Sequence, residues 1–214
     1  MKHLVFWFDP VSPFAYLAFE RLPQVLAGIS CEVSYRPLLF AGLLKHWGKK
    51  GPAEIEPKRA WTFRHVHWLA QQRGIEMQTP AQHPFNPLAL LRLLLACAPE
   101  GQTPNRFVCE SVLRHVWRGG FDAADPARLA ILATALAPAR DPGSDAVKRE
   151  LIEATGAAVA RGVFGVPNIE VDGRLFWGLD GLPMLAACLR ADPWFDSGAW
   201  EDAGATRPGI RRKT

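Results

Sequence analysis

Three short stretches place ligand-holding groups where backbone geometry can use them. In "FDPVSPFAYLA", Ser12 and Pro13 stand between an apolar run and a helical pattern. The Ser12 hydroxyl is therefore at a helix N-terminus, where free N–H groups and the positive end of the helix dipole favour an anion. A hydroxyl there can donate a hydrogen bond to an anion that a ligand supplies. Equally, Ser followed by Pro is an ordinary helix start, with the serine as cap and the proline preset for the first turn. In "GVFGVPNIEVDG", Val166-Pro167 directly precedes a strand pattern. In "FWGLDGLPM", a Gly-Leu-Asp turn sets Asp180 at the start of the last helix. Asp180 suits an N-cap, and a carboxylate with neighbouring N–H groups also suits both charges of an α-amino-acid end.

The elements that must position these groups follow from periodicity. "HLVFWF" is a continuous apolar run of strand formers, expected of a strand buried on both faces. Pro13 to Leu26 has apolar residues at helical spacing, and "CEVSYRPL" alternates as a second strand. This β-α-β order predicts two parallel neighbouring strands with a right-handed crossover. From about Leu39 strand signals stop. Helices are predicted at "KRAWTFRHVHWLAQQRG", which ends at Gly74, and at "NPLALLRLLLACA", "PNRFVCESVLRHVWRGG", "DPARLAILATALA" and "SDAVKRELIEATGAAVARG". Strand character returns at Asn168 to Val171 and Arg174 to Trp177, flanking Asp172-Gly173, a strong hairpin signal. "GLPMLAACLRA" closes the fold as a helix.

Composition limits the functions. Apolar residues make up 49% of the 214, enough for a substantial core. Of the net charge of +4, Arg207, Arg211, Arg212 and Lys213 in the tail account for all; the remaining body is neutral, which argues against a nucleic-acid partner. No apolar stretch is long enough for a signal sequence or a membrane span, so no membrane partner and a cytoplasmic location are expected. The four cysteines, Cys31, Cys97, Cys109 and Cys188, show neither C-x-x-C nor zinc spacing and are expected as reduced thiols, Cys97 and Cys109 facing helical cores; no metal site is expected.

The order βαβ, helices, ββα is the layout of a thioredoxin-like fold, class α/β, with a large all-helical domain inserted between the two halves. Residues 1–38 and 160–200 make the thioredoxin-like domain, 39–159 the insertion and 201–214 a polar basic tail. In that layout the redox C-x-x-C stands where the first strand meets the first helix. Here the place reads Ser12-Pro13-Phe14-Ala15, which excludes dithiol exchange. Pro167 falls where such folds carry a cis proline facing the first helix, with Val166 offering its backbone to an extended ligand.

With "FDPVSPFAYLA", "GVFGVPNIEVDG" and "FWGLD" in these places, the sequence resembles the 2-hydroxychromene-2-carboxylate isomerases and the kappa-class glutathione transferases, in the DsbA-like branch of the thioredoxin superfamily. The resemblance runs to about Leu189. It implies glutathione as cofactor. Ser12 matches the serine that hydrogen-bonds the glutathione sulfur, Val166 and Pro167 the pair that clasps the cysteinyl part, and Asp180, with Leu179 before it, the acid that holds the γ-glutamyl amino group. It also places the "GKKGP" turn, with Lys49, and Lys58 near the ligand, and implies a homodimer.

A helix N-terminus and a donor hydroxyl favour the thiolate of a thiol whose ordinary pKa is about 8.5. The expected reaction is reversible thiolate addition to a small aromatic carboxylate, with ring opening, rotation and elimination. The alternatives are a transferase that conjugates glutathione to electrophiles and a non-catalytic binding protein. Trp61 and His65 share a helix face with Lys58 nearby, and are candidates for substrate binding. So is Asn86, which also suits a helix cap.

Overall fold

The computed structural model describes residues 1–205 and 209; the basic residues Arg207, Arg211, Arg212 and Lys213 of the expected tail lie outside the described residues. β1 (Lys2–Phe8) leads through the Ser12 loop into α1 (Pro13–Val25), and β2 (Cys31–Pro37) completes the first unit. Then come α2 (Phe40–His46), a 3-10 turn at Pro52–Glu54, α3 (Glu56–Gln72), α4 (Leu88–Ala96), α5 (Arg106–Trp117), α6 (Pro126–Leu136) and α7 (Asp145–Ala160). β3 (Asn168–Val171), β4 (Arg174–Trp177) and α8 (Leu182–Leu189) follow. A 3-10 turn at Pro193–Phe195 and α9 (Ala199–Gly204) come last.

The sheet runs β2-β1-β3-β4. β1 and β2 are parallel, in register from Lys2↔Cys31 to Phe8↔Pro37, as the intervening helix requires. β3 is antiparallel to both β1 and β4. This is the thioredoxin arrangement. The β3–β4 turn has Asp172 at φ 50° and Gly173 at φ 77°, the two left-handed residues of a type I′ hairpin.

Because strand side chains alternate, β1 feeds two cores. Leu4, Phe6 and Phe8 join the larger one with α1, α4 and α5, while Val5 and Trp7 point the other way, to Leu43 of α2 and Ala158 of α7. β1 is thus buried on both faces over its apolar run, as its unbroken hydrophobicity predicts. Caps set the helix starts: Ser12, Asn105, Asp125 and Ser144 each accept a first-turn N–H. Cys109 is buried in the larger core and Cys97 packs at its border. All four thiols are free. Among the described residues no helix is long and apolar enough to cross a membrane.

Two helices are additions to the sequence reading. α2 has only seven residues and no side-chain cap of its own on Leu39. α9 extends the fold past α8 because Phe195 is buried against Phe176 and Trp200, at ring separations of 6.0 and 5.6 Å. Residues 201–204, expected as the start of the tail, are therefore helical.

Arg140 ties the insertion together. Its Nε donates to Ala98 O at 2.8 Å, Nη2 to Leu95 O at 2.6 Å, and Nη1 to Glu150 of α7 at 2.7 Å. One planar fork thus closes the end of α4 and holds it to α7. Arg140→Ala should lower unfolding free energy by about 2–3 kcal/mol, since two carbonyls and a carboxylate lose their donor. Arg140→Lys should recover only part of that loss in urea melts, because one ammonium cannot span three acceptors.

Candidate functional site

Between β1 and α1, Asp9, Pro10 and Ser12 are buried and Val11 is half-buried, and two of the loop's carbonyls are met by distant side chains. Asp9 has no exposed surface. Its Oδ1 accepts Val11 N–H and its Oδ2 accepts Phe40 N–H, both at 2.9 Å. The second bond gives α2 the N-terminal acceptor that Leu39 lacks. Ser12 N–H donates to Asp9 O at 3.0 Å. Trp117 Nε1 of α5 donates to Pro10 O at 2.9 Å, and His83 Nε2 donates to Val11 O at 2.8 Å. Because Val11 O can only accept, the hydrogen is on Nε2 and Nδ1 is bare. Burial lowers the His83 pKa, which keeps the ring neutral.

Ser12 is 7% exposed. Its Oγ accepts Ala15 N–H, the helix cap, and donates to Val166 O, both at 3.2 Å. The hydroxyl therefore joins the start of α1 to the loop before β3. The Val166-Pro167 bond is cis, as expected, and Pro167 O accepts Gly178 N–H at 2.9 Å. Among the described residues no acceptor takes the Phe14 or the Val166 N–H, so both are free to meet a ligand.

Ser12 and Val166 open onto a cleft of ≈ 540 Å³. Its walls carry six aromatic side chains: Phe14, Phe63, Phe85, Phe40 of α2, and Phe164 with Trp177 (ring separation 5.1 Å). Lys50, Lys58 and Arg59 supply cations and Glu54 a carboxylate, while the Asp9 carboxylate lies buried within the wall. The cleft can hold a flat apolar body, an acidic group at the cations and an anion at the α1 N-terminus.

Of the sequence-predicted site residues, the structure brings Ser12, Val166 and Lys58 to the cleft, with Pro167 buried behind Val166. The others fall outside its lining. Lys49 is exposed, and its neighbour Lys50 lines the cleft instead. α3 presents Lys58, Arg59, Thr62 and Phe63 to the cleft, so Trp61 and His65 lie on the adjacent face. There His65 stacks with Trp61 and Trp68 and meets Phe14 edge-on, with ring centroids 6.0 Å apart. Asn86 is exposed, and its Oδ1 accepts Leu88 N–H at 3.0 Å from one position before Pro87, the N-cap of α4. Leu179 is buried in the core. Asp180 is not the cap of α8, which begins after Gly181 with no side-chain cap. Gly178, at φ 83°, turns the chain so tightly that the exposed Asp180 carboxylate folds over it; a Cβ there would meet Oδ1.

Sequence reasoning missed Asp9 and His83. Asp9 carried one signal, an acid directly after a strand buried on both faces; His83 carried none, since its contact to Val11 spans 72 residues.

A family model, the DSBA-like thioredoxin domain, matches residues 3–190. Among characterised proteins, a 2-hydroxychromene-2-carboxylate isomerase of Sphingobium xenophagum is 28% identical over 195 residues, covering 88% of this chain and 98% of that protein. The rat kappa 1 glutathione S-transferase is 28% identical over 203 residues, covering 87% and 90%. A solved 2-hydroxychromene-2-carboxylate isomerase superposes with TM-score 0.77 at 24% identity, over 95% of this chain and 100% of that one.

Burial pushes the Asp9 carboxyl up to about 7, against the opposing pull of the Val11 and Phe40 N–H groups. The folded protein then holds this proton more tightly than the unfolded chain does. Its contribution to stability is full below about pH 4 and is lost as pH rises through 7. Asp9→Asn cannot ionise and escapes that loss. Urea melts should show the difference in stability between the two proteins moving by roughly 4 kcal/mol in the variant's favour from pH 4 to pH 8.

Proposed function

The chain belongs to the DSBA-like thioredoxin domain family, and on that premise we propose that it is a glutathione-dependent isomerase of 2-hydroxychromene-2-carboxylate-type intermediates of aromatic-compound degradation. The observation that carries the reading is the Ser12 hydroxyl at the α1 N-terminus, opposite Val166-Pro167, at the floor of an aromatic cleft with three cations. Glutathione binds with its cysteinyl backbone along Val166, whose N–H is free, and its sulfur at Ser12. The Ser12–Val166 contact of 3.2 Å is long for an O–H···O bond, so a sulfur anion competes well for that hydrogen. Asp180 lies outside the cleft lining but next to the Gly178 turn, and receives the γ-glutamyl amino group, with Leu179 backbone beside it.

Ser12 donates to the sulfur and is not a base. The thiolate adds to an electron-poor carbon of the substrate, the ring opens, and a former double bond becomes free to rotate. Elimination then returns the thiolate, so glutathione is regenerated. Lys58, with Lys50 and Arg59, takes the substrate carboxylate, and the aromatic walls take its ring. The reading extends to a cytoplasmic location and to a homodimer, whose assembly state sedimentation of the purified protein checks.

Relatives of the isomerase and the transferase kind match to a similar extent, so a conjugating enzyme is the second reading. The two part on thiol balance. Turnover of 2-hydroxychromene-2-carboxylate with titratable thiol unchanged supports the isomerase; loss of one thiol per turnover on an aromatic halide, with no isomerisation, replaces it with the transferase.

Two outcomes are expected of glutathione itself. At about a hundred times its dissociation constant it should stabilise the protein by roughly 2.7 kcal/mol in thermal melts. Ser12→Ala should cost about 1 kcal/mol of stability as a lost cap, and should raise the pKa of bound glutathione by about one unit, slowing turnover at neutral pH roughly tenfold. Ser12→Asn restores the cap and not the rate. Identical thiolate absorbance titrations in all three proteins would reduce Ser12 to a cap.

A further inference from the structure

Two carboxylates are buried among the described residues, Asp9 and Glu170. Their surroundings differ in kind. Glu170 has a cation: Arg161 bonds its Oε1, and Trp7 Nε1 donates to its Oε2 at 3.2 Å. Asp9 has none. Both its oxygens are spent on backbone N–H groups, and no salt bridge reaches it. A buried carboxylate without a counter-ion is held at high cost in its charged form. Asp9 also lines the cleft in which Ser12 stands, and is bonded to Ser12 through the backbone. A sulfur anion at Ser12 would bring a second negative charge into that low-dielectric wall, and two like charges there oppose each other.

We propose that Asp9 is a positioning residue that also changes charge state with the site: when a thiolate forms at Ser12, Asp9 takes up a proton. The balance is simple. The S–H bond of the thiol breaks and its proton leaves; one proton binds an Asp9 oxygen; the negative charge moves from carboxylate to sulfur. Nothing is oxidised or reduced, and the pocket's net charge is unchanged. The proposal rests on the reading of Ser12 as the thiolate site.

The surrounding charges leave this exchange to Asp9. The ionisable groups on the cleft walls are Lys50 and Glu54 from the segment after α2, Lys58 and Arg59 from α3, and His83. None bonds the Asp9 carboxylate. Glu54 Oε1 is already held by Gly51 N–H at 2.5 Å, and His83 is kept neutral by burial. On α2, whose first N–H Asp9 accepts, Lys45 and His46 are at the far end, outside the lining. The Asp9 carboxyl, lifted by burial to about 7, is close enough to neutral pH for one added charge to tip it.

Calorimetric titration with glutathione at pH 8, in buffers of different ionisation enthalpy, counts the protons exchanged. Wild type should release fewer than about half a proton per site, because Asp9 recaptures what the thiol gives up; Asp9→Asn should release close to one. S-methylglutathione, which has no proton to lose, should give no such difference between the two proteins. Equal release by both on binding glutathione would overturn the proposal. Should Asp9→Asn not fold, infrared difference spectra of wild type decide. Adding glutathione should raise the carbonyl band of a protonated carboxyl, shifted by ¹³C-aspartate labelling and absent with S-methylglutathione. Glutathione bound as thiolate without that band sinks this proposal alone. No thiolate in the complex, or no binding, sinks the Ser12 reading and this one together.

Discussion

The segment between β1 and α1, with Asp9, Pro10 and Ser12 buried and Val11 half-buried, needs its polar groups satisfied, and most of the architecture answers to that requirement. A buried N–H or C=O left without a partner costs about 1–3 kcal/mol. Distant side chains meet two of the loop's carbonyls, His83 before α4 that of Val11 and Trp117 at the end of α5 that of Pro10, while the Asp9 and Ser12 side chains reach Phe40 at the start of α2 and Val166 before β3. The inserted helices are therefore not a separate unit hung on the sheet. They supply the side chains that hold the Ser12 loop, and the loop in turn supplies the Asp9 carboxylate that starts α2. Either half without the other leaves buried polar groups open.

The same requirement sets the electrostatics. The helix end and the Ser12 hydroxyl favour a negative charge in the cleft, and aromatic walls strengthen that preference by excluding water. Asp9 works in the opposite direction. It cannot be removed without freeing Val11 and Phe40, so the group that positions the anion site also opposes an anion. A pKa near neutrality resolves the conflict, because the carboxyl can give up its charge and keep accepting the Val11 and Phe40 N–H groups. Glu170, the other buried carboxylate, is resolved differently, by Arg161.

What could be read from the sequence follows the range of the interactions. The strands, their parallel and antiparallel order, and the capped helices rest on local periodicity and on residues within three of a helix start, and these were legible. α2 was not, because its N-terminal acceptor is 31 residues away in Asp9. α9 was not, because aromatic packing against β4 holds it rather than any signal of its own. In the site, Ser12 and Val166-Pro167 were legible since each stands at the junction of two elements. Lys49, Trp61 and His65 were misdirected by rotation: Lys50 on the turn and Thr62 and Phe63 on α3 take the cleft. Asp180 suited a cap by its place before the last helix, but α8 begins after Gly181 and the Asp180 carboxylate folds over Gly178 instead.

With Ser12 and Ala15 in place of a cysteine pair, a site on this scaffold has no reactive sulfur of its own. The geometry that would hold a protein thiolate remains: the α1 N-terminus, the free Phe14 N–H and the facing Val166 backbone. On the proposed reading the reactive atom comes with the ligand, which changes what the protein must supply. A cysteine is placed covalently; a ligand's sulfur must be placed by binding, at the entropic cost of ordering a flexible tripeptide. The cleft meets that cost with rigid surface. Its rings are pinned by edge contacts such as Phe63 to His83, and His83 is itself fixed by Val11. The residues that order the Ser12 loop thus also build the wall against which the ligand is held, so loop, wall and bound sulfur are positioned by one set of contacts.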